Sequence, residues 1–136
     1  MTFVDTNVVL RWLLQDHETL SPEAARLIQT AEEDNEELLI SDVVLDEIFY
    51  VLRGKGYENH QTATIFNGLL EQPAFVFDQE SRLGLLFTII AGTKLDFADC
   101  YLISRAVYSG EALATFDKPM LKAYKKYKNL SHHRDA

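Results

Sequence analysis

The chain has 136 residues, of which 47% are hydrophobic and 25% are charged, and its formal net charge is −8 at pH 7. A chain of this length and composition can bury a hydrophobic core, which excludes a disordered protein and suits a single domain over residues 1–136. The longest apolar runs, such as 83–91, are too short to span a bilayer, so we expect no membrane contact.

Two features of the sequence bear on where the protein works. The amino terminus lacks a basic region followed by an apolar segment and a small-residue cleavage site, which is the pattern of a secretory signal. Cys100 is the only cysteine and has no Cys or His at ligand spacing, so neither an internal disulfide nor a sulfur metal site is expected. These observations predict a cytoplasmic protein in which Cys100 is a buried small residue.

The spacing of hydrophobic residues predicts strands that alternate with helices. In chain order, the predicted elements are a strand at 2–4, a helix at 7–14, a helix that Ser21 and Pro22 open, a strand at 38–40, helices at 41–52 and 59–70, a strand at 74–77, helices at 81–91 and 97–108, a strand at 112–116 and a short helix from 119. This alternation predicts an α/β fold with a central, mainly parallel sheet of four strands flanked by helices. A fifth strand is expected if 128–130 pairs at an edge.

Four carboxylates lie where packing gives little reason for a polar residue. Asp5 and Asp117 each follow a predicted strand directly. Asp99 lies in the first turn of a helix, and Glu47 lies on a helix whose apolar residues nearly encircle it, with the neighbouring Asp46 expected to face solvent. Taken singly, a helix cap, a favourable helix dipole or a turn can explain most of them. Taken together, acids at the carboxyl ends of parallel strands would repel one another, so the set predicts a divalent metal between them.

The carboxyl-terminal segment differs in charge from the rest of the chain. Residues 118–136 carry six Lys and Arg side chains against one acid. A basic segment beside an acidic site can hold phosphates next to a metal, although a solvated lysine-rich helix face explains the sequence equally well. The candidate phosphate-binding residues are Lys118, Lys122, Lys125 and Lys126.

Four short motifs, in order along the chain, resemble the successive motifs of PIN domains. They are Asp5-Thr6-Asn7 after a hydrophobic residue, Ile40-Ser41 followed by Glu47, the segment 97–103 around Asp99, and Ala114-Thr115-Phe116-Asp117. The spacing, the total length and the closing Thr115-Phe116-Asp117-Lys118 are similar to the small single-domain toxins of the VapC type. Each motif alone is weak, but four in order over nearly the whole chain are a strong signal.

The resemblance implies a parallel sheet flanked by helices and an acidic pocket that binds Mg²⁺ or Mn²⁺. It also implies ribonuclease activity, usually as a homodimer, that a cognate antitoxin neutralises. The residues at the four acidic positions, expected to serve in metal binding and catalysis, are Asp5, Glu47, Asp99 and Asp117. The accessory polar residues beside them are Thr6, Asn7, Thr115 and Asp96, of which Asp96 is either a helix cap, which we favour, or a further metal-shell group. The candidate lysines would then contact RNA.

The expected reaction is attack of a metal-activated water on an RNA phosphodiester, which leaves 5′-phosphate and 3′-hydroxyl ends and needs one metal or two. A phosphatase of the haloacid dehalogenase type also begins with an Asp after its first strand, but it needs a second Asp where this chain has Asn7. A PIN nuclease that is not a toxin and a catalytically silent PIN-like binding module remain as alternatives.

Apolar residues at 12–14 and 65–70 bear on the predicted partners. They offer surface for a partner's helix or for a second copy of the chain, or they complete the core. The sequence favours neither explanation.

Overall fold

The computed structural model describes residues 1–135, and for 132–135 it describes only the helical backbone. Within the described residues there are seven helices and three short strands. In chain order they are β1 (Thr2–Phe3), α1 (Thr6–Leu14), α2 (Leu20–Glu33), β2 (Leu38–Ile40), α3 (Asp42–Gly54), α4 (Asn59–Leu69), β3 (Phe75–Phe77), α5 (Glu80–Gly92), α6 (Phe97–Ser109) and α7 (Lys118–Asp135). Across residues 1–135, no helix is both long and apolar enough to cross a membrane.

The chain divides into two compact units. The first contains Met1–Val51 and Gly68–Glu80, and the second contains Leu52–Asn67 and the chain from Ser81 onward. The sheet belongs to the first unit, whereas α6 and α7 belong to the second.

The three strands of the first unit form a parallel sheet in the order β1-β2-β3. Leu38 of β2 pairs with Thr2 of β1 on one side and with Phe75 of β3 on the other. All three residues of β2 are buried, as expected for the central strand of a parallel sheet. β1 lies at the edge of the sheet, and its Phe3 is exposed. The chain therefore leaves all three strands at one edge of the sheet, the edge where ligand sites form in such folds.

Aromatic side chains form the core of the second unit. The ring of Phe66 lies 5.3 Å from that of Phe87 and 6.4 Å from that of Phe97, measured between centroids. All three side chains are buried, and tilted or edge-to-face ring pairs at these distances are favourable. Because Phe97 is the first residue of α6, this core fixes the start of the helix that carries Asp99.

α7 is amphipathic, and its apolar face packs within the second unit. The buried residues of this face are Met120, Ala123, Tyr124 and Tyr127. The hydroxyl of Tyr124 donates a hydrogen bond to the carbonyl of Glu111 at 3.1 Å, and Tyr127 packs against Gly92 at the end of α5. These contacts fix the rotation of α7 about its own axis.

Six helices lie close to where the hydrophobic spacing predicts them, and the α/β class with a parallel sheet is confirmed. The last helix begins near residue 119 as expected, but it is 18 residues long rather than short. The fourth and fifth strands are not confirmed. Residues 111–115 have no regular secondary structure. Leu113 and Thr115 are half-buried between exposed neighbours, and among residues 1–135 no strand pairs with them. Residues 128–130 lie inside α7 and are helical. A period of two predicts which side chains face inward, but it does not identify a pairing strand.

Candidate functional site

Asp5 lies between β1 and α1 at the carboxyl edge of the sheet. It occupies the amino-terminal cap position of α1 with extended backbone angles, φ −78° and ψ 154°, but its side chain makes no capping hydrogen bond. The residue is exposed, and it forms no ion pair within the described part of the chain. A hydrogen-bonded cap is therefore not the role of the Asp5 side chain, although the acid still lies where the dipole of α1 favours a negative charge.

Thr6 holds the side chain of Glu47. Its Oγ1 donates a hydrogen bond to Oε2 of Glu47 at 2.6 Å, and Thr6 itself is buried. A hydrogen bond to a carboxylate is stronger than one between neutral groups, so this contact ties Glu47 to the start of α1. Glu47 is exposed and Asp46 is half-buried, which is the reverse of the prediction. The reason is that α3 buries the stripe containing Leu45 and Ile48, and Glu47 points away from this stripe.

Two more polar residues lie near this edge of the first unit. Asn7 is exposed in the first turn of α1, where it lines an apolar groove between α1 and α2. Asp78 follows β3 directly, and its Oδ2 accepts the N–H of Asp42 at 2.9 Å at the start of α3. The sequence analysis missed Asp78, although it carries the same signal as Asp5, an acid after a strand. Its carboxylate stabilises a helix start, which gives it a structural role.

The second unit brings three carboxylates close together. Oδ1 of Asp96 accepts the N–H of Asp99 at 3.1 Å, so the favoured role of Asp96 as the cap of α6 is confirmed. Burial raises the pKa of Asp99 above its ordinary value, and the charge of Asp96, a hydrogen bond to Asp96 and the charge of Asp117 raise this pKa further. Each effect disfavours the ionised form of Asp99, so a cation placed here would relieve a real electrostatic cost.

Asp117 begins α7, and its side chain has a structural contact as well. Oδ1 of Asp117 accepts the N–H of Met120 at 2.9 Å, and Oγ1 of Thr115 accepts the N–H of Asp117 at 3.0 Å. Thr115 thus lies beside the acid, where the motif places it. The explanation of Asp117 as a turn residue is correct for Oδ1, which makes the capping bond. Oδ2 takes no part in that bond.

Arg53 and Asn59 hold the loop that leads into α6, and the sequence analysis missed this role. Nη2 of Arg53 donates to Oδ1 of Asn59 at 2.9 Å and to the carbonyl of Leu95 at 3.0 Å. Nδ2 of Asn59 donates to the same carbonyl at 2.7 Å. Leu95 directly precedes Asp96, so the two side chains position the amino terminus of α6. Arg53 lies in the last turn of α3, and the one signal of this role in the sequence is the polar Asn59 at the start of α4.

Cys100 follows Asp99 and is fully buried, as predicted. Burial raises the pKa of its thiol to about 11. The raised pKa keeps the thiol neutral at physiological pH.

The four candidate lysines are exposed on α7, together with Lys128. We call this set the lysine face, and its members are Lys118, Lys122, Lys125, Lys126 and Lys128. It lies opposite the buried apolar face of the same helix.

The apolar residues considered for partner binding are buried to different degrees. Phe66 and Leu69 are fully buried, so the core explanation is correct for these two. Trp12 is half-buried and packs edge-on against Phe75, with ring centroids 5.3 Å apart. The other residues of the set are half-buried as well: Leu13, Leu14, Ile65 and Leu70.

The donor atoms suit a hard divalent cation, but a formed metal site is not present. Carboxylate and hydroxyl oxygens are the ligands that Mg²⁺ and Mn²⁺ prefer, and the raised pKa of Asp99 marks a place where negative charges accumulate. Among the described side chains, those of residues 1–131, however, no three His, Cys, Asp or Glu residues form a group that could hold a metal ion. The residues fit the cation in charge and in atom type, while capping bonds occupy one oxygen of Asp96 and one of Asp117.

An α/β fold with acids after its strands and at its helix starts defines a class of nuclease-like domains. The model of the PIN domain family matches residues 2–126, and the chain belongs to this family. PIN domains are typically metal-dependent nucleases that act on RNA and use divalent ions such as Mg²⁺. No curated protein and no solved structure gives a significant match to the chain.

Proposed function

We propose that this protein is a divalent-metal-dependent endoribonuclease and the toxin component of a VapBC-type toxin–antitoxin system. The observation that carries the nuclease proposal is the exposed side chain of Asp5, which makes no capping hydrogen bond. In a chain that belongs to the PIN domain family, this acid stands at a strand end and cap position, yet it is exposed and caps nothing. An exposed acid at the carboxyl edge of a parallel sheet, whose side chain makes no capping bond, suits a ligand site.

The proposed ligands of Mg²⁺ or Mn²⁺ are Asp5, Glu47, Asp99 and Asp117. The contact between Thr6 and Glu47 supports this assignment, because it fixes a carboxylate in place without neutralising it. The cap that Asp96 forms supports it too, since it fixes the first turn of α6, from which Asp99 projects.

A divalent cation, when bound, supplies Lewis-acid stabilisation of the charge on the scissile phosphate. The protein's part is to hold the oxygen ligands of the cation in place and to position the RNA beside them. Thr6 orients Glu47, Asp96 fixes the backbone of Asp99, and Thr115 fixes the backbone of Asp117. Arg53 holds the loop before α6. Hydrolysis in this arrangement leaves a 5′-phosphate and a 3′-hydroxyl.

The nuclease proposal is tested by cleavage of a pool of RNA transcripts with and without Mg²⁺. Asp5→Asn keeps the size of the side chain and removes its charge, so it should abolish magnesium-dependent cleavage while the protein stays folded. Asp34→Asn is the matched control, because Asp34 is an exposed acid at the end of α2. Cleavage that survives in the Asp5→Asn protein or in excess chelator would refute the proposal. No cleavage by the wild-type protein would favour the silent binding module.

The toxin proposal needs a separate test, since it rests on the motif resemblance. Expression of the chain alone should arrest growth, and co-expression with the product of a small neighbouring gene should restore it. The two products should also purify together. If expression is harmless and no such product binds, a PIN nuclease that is not a toxin remains.

We further propose that residues 1–136 form a single domain, that the protein is a homodimer and that it works in the cytoplasm. A single cooperative unfolding transition is expected if the two compact units fold together. Light scattering at micromolar concentration tests the dimer, and a strictly monomeric mass would refute it.

A further inference from the structure

The lysine face of α7 is a continuous band of positive charge. Its five residues lie on one half of the helix surface, opposite the buried Tyr124 and Tyr127. From Lys118 to Lys128 the band extends about 15 Å along the axis, at a rise of ~1.5 Å per residue. It begins next to Asp117, an acid of the proposed site.

These positive charges are not neutralised by the protein itself. Within the described residues, no carboxylate forms an ion pair with any lysine of the face. Nζ of Lys126 lies 5.4 Å from the ring centroid of Tyr127, and Nζ of Lys128 lies 5.7 Å from that of Tyr124. Tyrosine rings attract the ammonium groups without neutralising their charge. In a chain with a net charge of −8, such a band is where a polyanion can approach without repulsion.

Phe116 adds an aromatic ring at the end of the lysine face. Its relative exposure is 107%, the highest of the exposed large hydrophobic residues. It lies one residue before Asp117, whose capping bond starts α7. An exposed ring beside a row of cations is the combination that binds single-stranded nucleic acid, because the ring stacks on a base while the cations contact phosphates.

We propose that Phe116 and the lysine face form a binding surface for single-stranded RNA. A base stacks on Phe116, and the phosphates that follow lie along α7. The inference deepens the proposed nuclease function, since the surface begins beside Asp117 and so directs the strand toward the proposed catalytic acids. Single strands are favoured over duplexes because only an unstacked base can stack on a protein ring.

The test measures binding of a fluorescent, unstructured 12-nucleotide RNA to the full chain in excess chelator, so that cleavage does not interfere. Phe116→Ala should weaken binding roughly 5- to 150-fold, which is the cost of losing one stacked base, and should leave the salt dependence unchanged. Phe116→Trp should retain affinity. Phe3→Ala is the matched control, because Phe3 is an exposed phenylalanine of the first unit and should have no effect.

The lysines are tested through the salt dependence of the same binding. The slope of log affinity against log salt changes by about 0.7 for each phosphate contact with a single strand, so Lys122→Gln/Lys125→Gln should make it shallower by about 1.4. Lys55→Gln, which changes an exposed lysine outside the face, should leave the slope as it is.

Unchanged affinity in Phe116→Ala together with an unchanged slope in the double variant would overturn the inference. Equal affinity for duplex RNA, or binding to anionic vesicles with none to RNA, would overturn it as well. These outcomes are distinct from failure of the nuclease proposal, which is measured by magnesium-dependent cleavage in the Asp5→Asn protein.

Discussion

The packing of α7 can be tested at Gly92, the last residue of α5. A Cβ atom added at this position would overlap the hydroxyl oxygen of Tyr127, while the next atom of the same ring, Cζ, would lie 3.6 Å away at an ordinary contact distance. Gly92→Ala should therefore destabilise the protein, and the whole effect should come from one oxygen atom.

Overpacking of this kind costs about 1–3 kcal/mol. For a chain of this size 1 kcal/mol corresponds to roughly 4 °C, so we expect the melting temperature to fall by about 4–12 °C. Tyr127→Phe removes the overlapping oxygen, whose loss should cost little because it makes no hydrogen bond within the described residues. In the Tyr127→Phe background, Gly92→Ala should be neutral or slightly stabilising. Gly84→Ala is the control, because no atom lies within 4 Å of the added Cβ and alanine is the better helix former by ~0.5–1 kcal/mol.

Thermal and chemical unfolding of the four proteins in the cycle gives the coupling between the two positions. A coupling of at least ~1 kcal/mol between Gly92 and Tyr127 is expected for side chains in direct contact. If Gly92→Ala is as harmless as Gly84→Ala, or if Tyr127→Phe does not rescue it, the reasoning about how α7 packs on α5 is refuted.

In metal-free protein, Asp99→Asn should raise the melting temperature at neutral pH. The folded state holds the Asp99 proton more tightly than the unfolded state does, so ionised Asp99 lowers the free energy of unfolding. This loss of stability is complete above the raised pKa and disappears as the pH falls toward the ordinary value of 3.8. A higher melting temperature of Asp99→Asn that persists at pH 3 would contradict this cause. Arg82→Met should stabilise by about 1–3 kcal/mol, because Arg82 is 8% exposed and its Nε has no hydrogen-bond partner among the described residues; a loss of stability in urea unfolding would show that the guanidinium is needed. Asn59→Ala should cost about 1–3 kcal/mol and lower RNA cleavage, since it removes one of the two hydrogen bonds to the Leu95 carbonyl and the acceptor of Arg53, which together hold the loop before α6; full cleavage activity would leave Asn59 a purely structural role.

Helix positions were predictable because their apolar spacing is strong, but the rotation of a helix was not always predictable. In α3, apolar residues surround both Asp46 and Glu47 in the sequence. The structure buries Leu45 and Ile48 and leaves Val43 exposed. Which apolar stripe is buried depends on the elements that pack against it, and that choice exposes Glu47 rather than Asp46.

The start of α2 shows a second limit, which comes from local hydrogen bonds. Ser21 was expected to cap this helix, but it lies inside the helix and is buried. Nδ1 of His17 accepts the N–H groups of Thr19 and Leu20 at 3.3 and 2.9 Å instead, so the helix begins at Leu20. A histidine that caps a helix leaves no regular signal in a sequence, whereas Ser followed by Pro does.

For the candidate site, the sequence identified the acids but not what each of them contacts. Order and spacing were enough to single out Asp5, Glu47 and Asp117. Only the coordinates distinguish Asp5, which caps nothing, from Asp117, whose Oδ1 caps α7. Backbone angles do not explain the difference, since Asp5 and the capping Asp96 are both extended, with φ of −78° and −79° and ψ of 154° and 174°. The difference lies in where each side chain points, which a pattern of residue types does not encode.

Asp117 also connects the two proposals physically. Its Oδ1 accepts the N–H of Met120, so the helix that carries the lysine face begins at an acid of the proposed metal set. The buried side chains of α7, among them Tyr127 against Gly92, fix how the helix is turned and hence where its lysines point. A change that rotates α7 would therefore move the RNA-binding cations and Asp117 together. For this reason substitutions on the lysine face, which leave the buried side intact, are the ones that separate RNA binding from catalysis.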